Sequence, residues 1–175
     1  AVDTATLTVQ VSGASEVPPP VSTTGGAGAD TLAGGIGAET MLGGAGNDLM
    51  SGGLGADVFA WRLADSGAPA APAVDTITDF SVASRTAGGD VLDLRDLLQG
   101  ENSSPGSLDN YLHFRVEGGA TTVDISSSGG FAAGYDPAAV DQQIVLAGVD
   151  LSAGGLSTDQ LIIQDLLSKN KLITD

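Results

Sequence analysis

Residues 25 to 60 read GGAGADTLA, GGIGAETML, GGAGNDLMS and GGLGADVFA, a nine-residue unit repeated four times without a gap. A fixed period constrains a fold tightly, because every unit must take the same local structure and bury its apolar face against its neighbours. Each unit has the form G-G-x-G-x-D-x-U-x, where U is apolar, and only Glu39 departs from the Asp position. Glycines at these places permit positive φ and close approach of one backbone to another. A loop built this way can turn its carbonyls toward one point instead of into a sheet ladder. Asp30, Asp48 and Asp57 then add a carboxylate at the loop's end. Carbonyls and short carboxylates are the hard oxygen ligands that Ca2+ gathers in sets of about six to eight.

A short strand follows each loop, with Leu32, Met41, Met50 and Phe59 at equivalent places. Strand side chains alternate between faces, so these four are expected to share one interior. If two repeats make one turn, Asp30 faces Asp48 across one ion layer and Glu39 faces Asp57 across another. Without a cation these pairs are like charges a few ångströms apart, which is unfavourable. Such a block is expected to stay unfolded until calcium arrives, since metal-binding energy becomes folding energy. A flexible Gly-rich linker needs no register of Asp and apolar residues. A phosphate-cradling loop is excluded as well. The repeats complete no G-x-G-x-x-G, and G-K-[ST] occurs nowhere.

The 175 residues include 26 Gly and no Cys, and carry a formal charge of −16. That length suits one domain with at most a small appendage. Hydrophobic content of 42% is enough for a core. Residues 1–60 contain six acidic and no basic residues, a poor surface for nucleic acid or anionic lipid. Without Cys there is no disulfide framework and no thiolate-zinc chemistry. No stretch reads as a signal peptide or membrane span, so membrane insertion is not expected. In the opening segment Thr6, Thr8 and Gln10 alternate with Leu7, Val9 and Val11, and Pro18 to Pro20 follow. Residues 1–24 are therefore expected to be the end of a preceding domain and a Pro-rich linker, with upstream domains of a larger protein as partners.

Beyond the repeats, Val74–Phe80, Gly88–Leu94 and Gln142–Val149 read as strands. Tyr111–Glu117 and Thr121–Ser126, separated by Gly118-Gly119-Ala120, read as a hairpin. Arg95 to Leu98 reads as a short helical turn, and Lys171 to Thr174 as a final strand. Ser157-x-x-Gln160 has the form of a capping box before an amphipathic helix. Four nonapeptides give only about 10 Å of stacked sheet, too little to stand alone. The expected fold is all-β: a short calcium-binding parallel β-roll over 25–60 docks on a mainly antiparallel, sandwich-like region over 61–175 with one C-terminal helix.

Catalysis has little to work with. His113, the sole histidine, sits in an alternating strand without a Cys partner and reads as structural. Neither G-x-S-x-G nor H-E-x-x-H occurs. Asp75, Asp79, Asp90 and Asp93 form a downstream acidic series. Asp75, Asp79 and Asp90 are expected to complete calcium layers at the end of the roll, the bland alternative being solvated strand and turn residues.

The repeats resemble the RTX (repeats-in-toxin) family of secreted bacterial proteins. Downstream, Asp75-x-Ile77-x-Asp79-Phe80, Gly89-Asp-Val-Leu-Asp-Leu94, Tyr111-Leu-His-Phe114, Asp141-Gln-Gln-Ile144 and Leu146-x-Gly148-Val149-Asp150-Leu151 resemble the C-terminal type I secretion module of very large biofilm adhesins. The resemblance implies export, C-terminus first, by a type I secretion ABC transporter. The chain would pass unfolded at low cytosolic calcium, fold outside, and remain at the cell surface as part of the adhesin. It implies Gly26, Gly28, Asp30, Gly43, Gly44, Gly46 and Asp48 as ligands on one side of the roll. On the other side are Gly35, Gly37, Glu39, Gly53, Gly55 and Asp57, with Glu39 overfilling a loop shaped for Asp. An uncleaved export signal is implied within Thr158 to Asp175. Two alternatives keep the roll: the secretion domain of a protease or lipase, and a calcium-dependent glycan- or surface-binding module.

Overall fold

The nine-residue period produces a chain that returns above itself every second unit. The computed structural model describes residues 21–102 and 104–175, so the alternating segment and prolines expected before residue 21 lie outside them. Strands β1 (Val21–Thr24), β3 (Glu39–Leu42) and β5 (Val58–Ala60) stack in parallel on one side. On the other side β2 (Thr31–Ala33) stacks on β4 (Leu49–Ser51). Thr31 pairs with Leu49 and Thr40 with Val58, the register that two repeats per turn demands. The first sheet starts upstream of the first glycine pair, because Val21 to Thr24 supplies a strand rich in β-branched residues that registers on β3.

Both sheets continue past the repeats. β6 (Ala73–Ile77) adds to β4, and β7 (Val91–Asp93) adds to β5, each in parallel. After a single helical turn, α1 (Pro105–Leu108), the chain forms the hairpin of β8 (Leu112–Glu117) and β9 (Ala120–Ile125). Its turn is Gly118-Gly119, with φ of 61° and 80°, the two positive values that a tight hairpin of this twist requires. β10 (Gln142–Leu146) sits between β9, antiparallel, and β6, parallel. Helix α2 (Asp159–Ser168) leads to β11 (Leu172–Ile173), which pairs in parallel with β7. The orders are β1-β3-β5-β7-β11 and β2-β4-β6-β10-β9-β8. Among these strands antiparallel pairing is thus confined to β8, β9 and β10, and the roll and its cap share both sheets.

The helix start differs from the sequence reading. Thr158, not Ser157, is the N-cap, its Oγ1 accepting the Leu161 N–H at 3.3 Å. Gln160 then falls one position short of closing a capping box. The shift places Asp159 in the first turn, where a carboxylate suits the helix dipole. There it accepts the Phe114 N–H at 2.9 Å and pairs with His113 Nδ1 at 2.7 Å. His113 is therefore partnered, and it also stacks on Tyr135 at 3.9 Å between centroids.

Met41, Met50 and Phe59 have no exposed surface, and Leu32 is buried beside them, as the repeat pattern requires. The same core continues without a break into Ile77, Leu92, Ile144 and the buried face of α2, Ile162, Ile163 and Leu166. Phe59 meets Phe80 at 6.2 Å between ring centroids, so the roll's interior is closed by a residue from beyond the repeats.

Candidate metal centre

Stacking brings loop one over loop three and loop two over loop four. The Ala45 N–H donates to the Gly26 carbonyl at 3.0 Å, and the Leu54 N–H to the Gly35 carbonyl at 2.8 Å. Carboxylates tie the same pairs together. Asp48 Oδ1 accepts the Asp30 N–H at 2.8 Å, and Asp57 Oδ1 accepts the Glu39 N–H at 2.8 Å. The pairs expected across the two internal layers, Asp30 with Asp48 and Glu39 with Asp57, are therefore neighbours. Gly44, Gly46, Gly53 and Gly55 all hold positive φ. A Cβ on Gly44 or Gly53 would strike the Gly26 or Gly35 carbonyl oxygen, so only glycine lets the loops lie this close.

Within a loop the acid folds back on its own start. Asp30 Oδ2 accepts the Gly26 N–H at 2.6 Å, and Glu39 Oε2 reaches the Gly35 N–H at 3.1 Å. In loops three and four that second oxygen has no such donor. Asp48 Oδ2 and Asp57 Oδ2 are buried with no hydrogen-bond partner among the described residues. An ionised carboxylate oxygen shut from water without a partner is strongly disfavoured. Among the described residues no group of three or more His, Cys, Asp and Glu side chains converges on a point that could hold a metal. A cation here must then draw on loop carbonyls along with single carboxylates, the mixed oxygen set that calcium accepts.

Downstream, the acidic series divides. Asp75 Oδ1 accepts the Asp48 N–H at 2.8 Å and Asp90 Oδ1 the Asp57 N–H at 2.9 Å, so each takes the place that Asp48 and Asp57 hold one turn earlier. Their second oxygens are engaged. Asp75 Oδ2 accepts from Trp61 Nε1 at 2.7 Å and Gln142 Nε2 at 2.9 Å, while Asp90 Oδ2 accepts the Ser81 N–H at 2.7 Å. Asp79 is exposed and caps the fourth loop by accepting from Gly52 N, Gly53 N and Ser51 Oγ. Trp61, Ser81, Gln142 and the buried Lys171 escape the sequence reading. The one visible signal is a lone Trp directly after the last repeat.

A family model for the RTX calcium-binding nonapeptide repeat matches residues 24–59 in four copies. These are RTX repeats, and they bind Ca2+. No curated protein matches the chain. Among solved structures the chain is similar to the AlgE6R3 subunit of the Azotobacter vinelandii mannuronan C5-epimerase, at 24% identity and a TM-score of 0.47, covering 77% of this chain and 74% of that one. The AlgE6R2 subunit of the same epimerase shares 19% identity with a TM-score of 0.39, covering 89% of this chain and 92% of the other.

Burial of the carboxylates in and beyond the RTX repeats sets a pH dependence. Desolvation pushes Asp57 up to about 6, and raises Asp48, Asp75 and Asp90 above the ordinary 3.8. The folded state then binds more protons than the unfolded chain, so this contribution is full below the unfolded value and is lost as pH rises through about 6. In EGTA, β-structure by circular dichroism is expected to be greater at pH 5 than at pH 7.5. Protons and calcium compete for the same oxygens, so the calcium midpoint is expected to be weaker at pH 5.

Glu39 supplies the longest of the loop carboxylate bonds, at 3.1 Å against 2.6 Å for Asp30. Glu39→Asp is expected to tighten its layer by roughly 1 kcal/mol, or about fivefold, seen as a lower calcium midpoint of folding.

Proposed function

We propose that the chain is a calcium-dependent folding and type I secretion module of a secreted bacterial adhesin. One observation carries the calcium half. Asp48 and Asp57, 2% and 1% exposed, each bury a carboxylate oxygen that no group among the described residues satisfies. Asp48 with Asp30, Gly26, Gly28, Gly43, Gly44 and Gly46 would hold an ion on one side. Asp57 with Glu39, Gly35, Gly37, Gly53 and Gly55 would hold one on the other. The bound ion supplies charge compensation, and the chain supplies the stacked loops and a core that closes under them. At low cytosolic calcium the uncompensated carboxylates keep the roll open, which suits passage through a transporter channel. Outside the cell calcium closes it. No catalysis of its own is assigned.

The export half is supported by the downstream segments that resemble adhesin secretion modules, and by the burial of residues within 158–175. Within Thr158 to Asp175, Ile162, Ile163, Leu166 and Leu172 are buried in the folded state. A signal that used these apolar residues would be readable only on the unfolded chain. No helix among the described residues is long and apolar enough to cross a membrane.

Export is tested in a host carrying a type I transporter, comparing the full chain with one lacking residues 158–175. The full chain is expected in the medium and the truncated one inside the cell. Equal export of both would overturn the secretion reading.

A further inference from the structure

The segment Ser81 to Asp90 has no repeat motif, yet it stacks on the fourth RTX repeat as the next turn. Asp90 Oδ1 accepts the Asp57 N–H at 2.9 Å, as Asp57 Oδ1 accepts that of Glu39 at 2.8 Å. A Cβ on Gly88, at φ 79°, would meet the Gly55 carbonyl oxygen first, as one on Gly55 would meet that of Gly37. Val91 continues the register on Val58. The backbone thus begins a third layer on this side of the roll.

Lys171 sits at that layer. It is 1% exposed, and its Nζ donates to the Ser81 carbonyl at 3.2 Å. The ammonium lies so near Gly89 that a Cβ there would collide with it. The Ser81 N–H in turn holds Asp90 Oδ2 at 2.7 Å. Burial works against the Lys171 ammonium, and the negative charge of Asp90, linked to it through the Ser81 backbone, works in its favour. Across the roll, the corresponding place at Asp75 is closed by neutral donors, Trp61 Nε1 and Gln142 Nε2. Both terminal carboxylates accept neutral N–H groups, but the Asp90 layer also holds a buried ammonium, on the Ser81 carbonyl.

We infer that Lys171 is a built-in cation that stands where the next calcium would go, ending the ion ladder after the Glu39–Asp57 layer and locking β11 onto the roll by charge. The inference rests on the calcium reading of the repeats. Because Lys171 arrives 90 residues after Ser81, the match also makes docking of β11 a condition for closing the roll.

The test follows calcium-driven folding of the full chain by circular dichroism for the wild type, Lys171→Met, and Lys171→Met combined with Asp90→Asn. Lys171→Met keeps the stem and removes the charge. Its calcium midpoint is expected to rise about tenfold, and adding Asp90→Asn is expected to return it to within about threefold of the wild type. If Lys171→Met fails to fold at any calcium concentration, folding of the double variant supports the inference and its failure overturns it. An unchanged midpoint in Lys171→Met, or a double variant no better than the single, would also overturn it, leaving Lys171 as apolar packing. A wild type that folds without calcium would instead sink the calcium reading itself.

Discussion

Gly55→Ala is expected to remove calcium binding at the Glu39–Asp57 layer and to raise the calcium midpoint of folding about tenfold or more. Gly55 holds φ at 144°, and a Cβ there would run into the Gly37 carbonyl oxygen of the loop beneath. Backbone strain alone costs about 1–3 kcal/mol, and about 1.4 kcal/mol is a tenfold change in affinity. The collision adds to this by forcing the loops apart, which moves the carbonyls that a cation needs. Gly28 is the internal control. It occupies the equivalent place in the first repeat at φ 104°, but nothing lies within 4 Å of a Cβ built there. Gly28→Ala should therefore show the strain without the collision. Calorimetric titration of both variants separates the two effects, and equal losses would mean that stacking contributes nothing.

Phe59→Ala is expected to destabilise the calcium-loaded module by about 3–5 kcal/mol, the usual range for emptying a buried aromatic site. Phe59 is fully buried between the roll's two sheets and touches Phe80 across the junction with the cap. Against a typical total stability of about 5–15 kcal/mol, that loss is a large fraction of the whole. Urea denaturation in excess calcium measures it. Leu49→Ala, at a residue 43% exposed on β4, should stay within about 0.5 kcal/mol of the wild type.

The parts of the fold that are legible in the sequence are those with a local period. A unit of nine residues with one glycine-rich loop and one apolar position leaves a single way to stack, and Leu32, Met41, Met50 and Phe59 take the interior places it implies. The hairpin is legible for the same kind of reason, since Gly118-Gly119 is a local turn signal between two alternating runs. Parallel pairing leaves no such trace. Ala73 meets Gln142 and Leu92 meets Leu172 across long stretches of chain, and no turn between them announces it. That is why the cap reads in sequence as a mainly antiparallel region on which the roll docks, whereas its strands also extend both sheets of the roll.

The centre divides along the same line. Asp30, Asp48, Asp57 and Glu39 are visible because the repeat fixes their register. Asp75 and Asp90 look alike in sequence to Asp79, yet two of them continue the carboxylate ladder and the third caps a loop. What separates them is the set of donors around each. Trp61 lies 14 residues from Asp75, and Gln142 lies 67. Neither distance has a motif. Lys171 was hidden by its setting, since a lone cation in an apolar strand looks like an exposed residue until Ser81 and Asp90 fold over it.

The account turns on calcium closing the roll through the unsatisfied oxygens of Asp48 and Asp57. Native-state amide exchange in EGTA and then in excess calcium tests this residue by residue. Protection at the Asp30 and Glu39 N–H groups, which donate to Asp48 and Asp57, should be absent in EGTA and appear with calcium. It should fail to appear at Asp30 in Asp48→Ala. Full protection of both amides in EGTA, unchanged by calcium, would contradict the account.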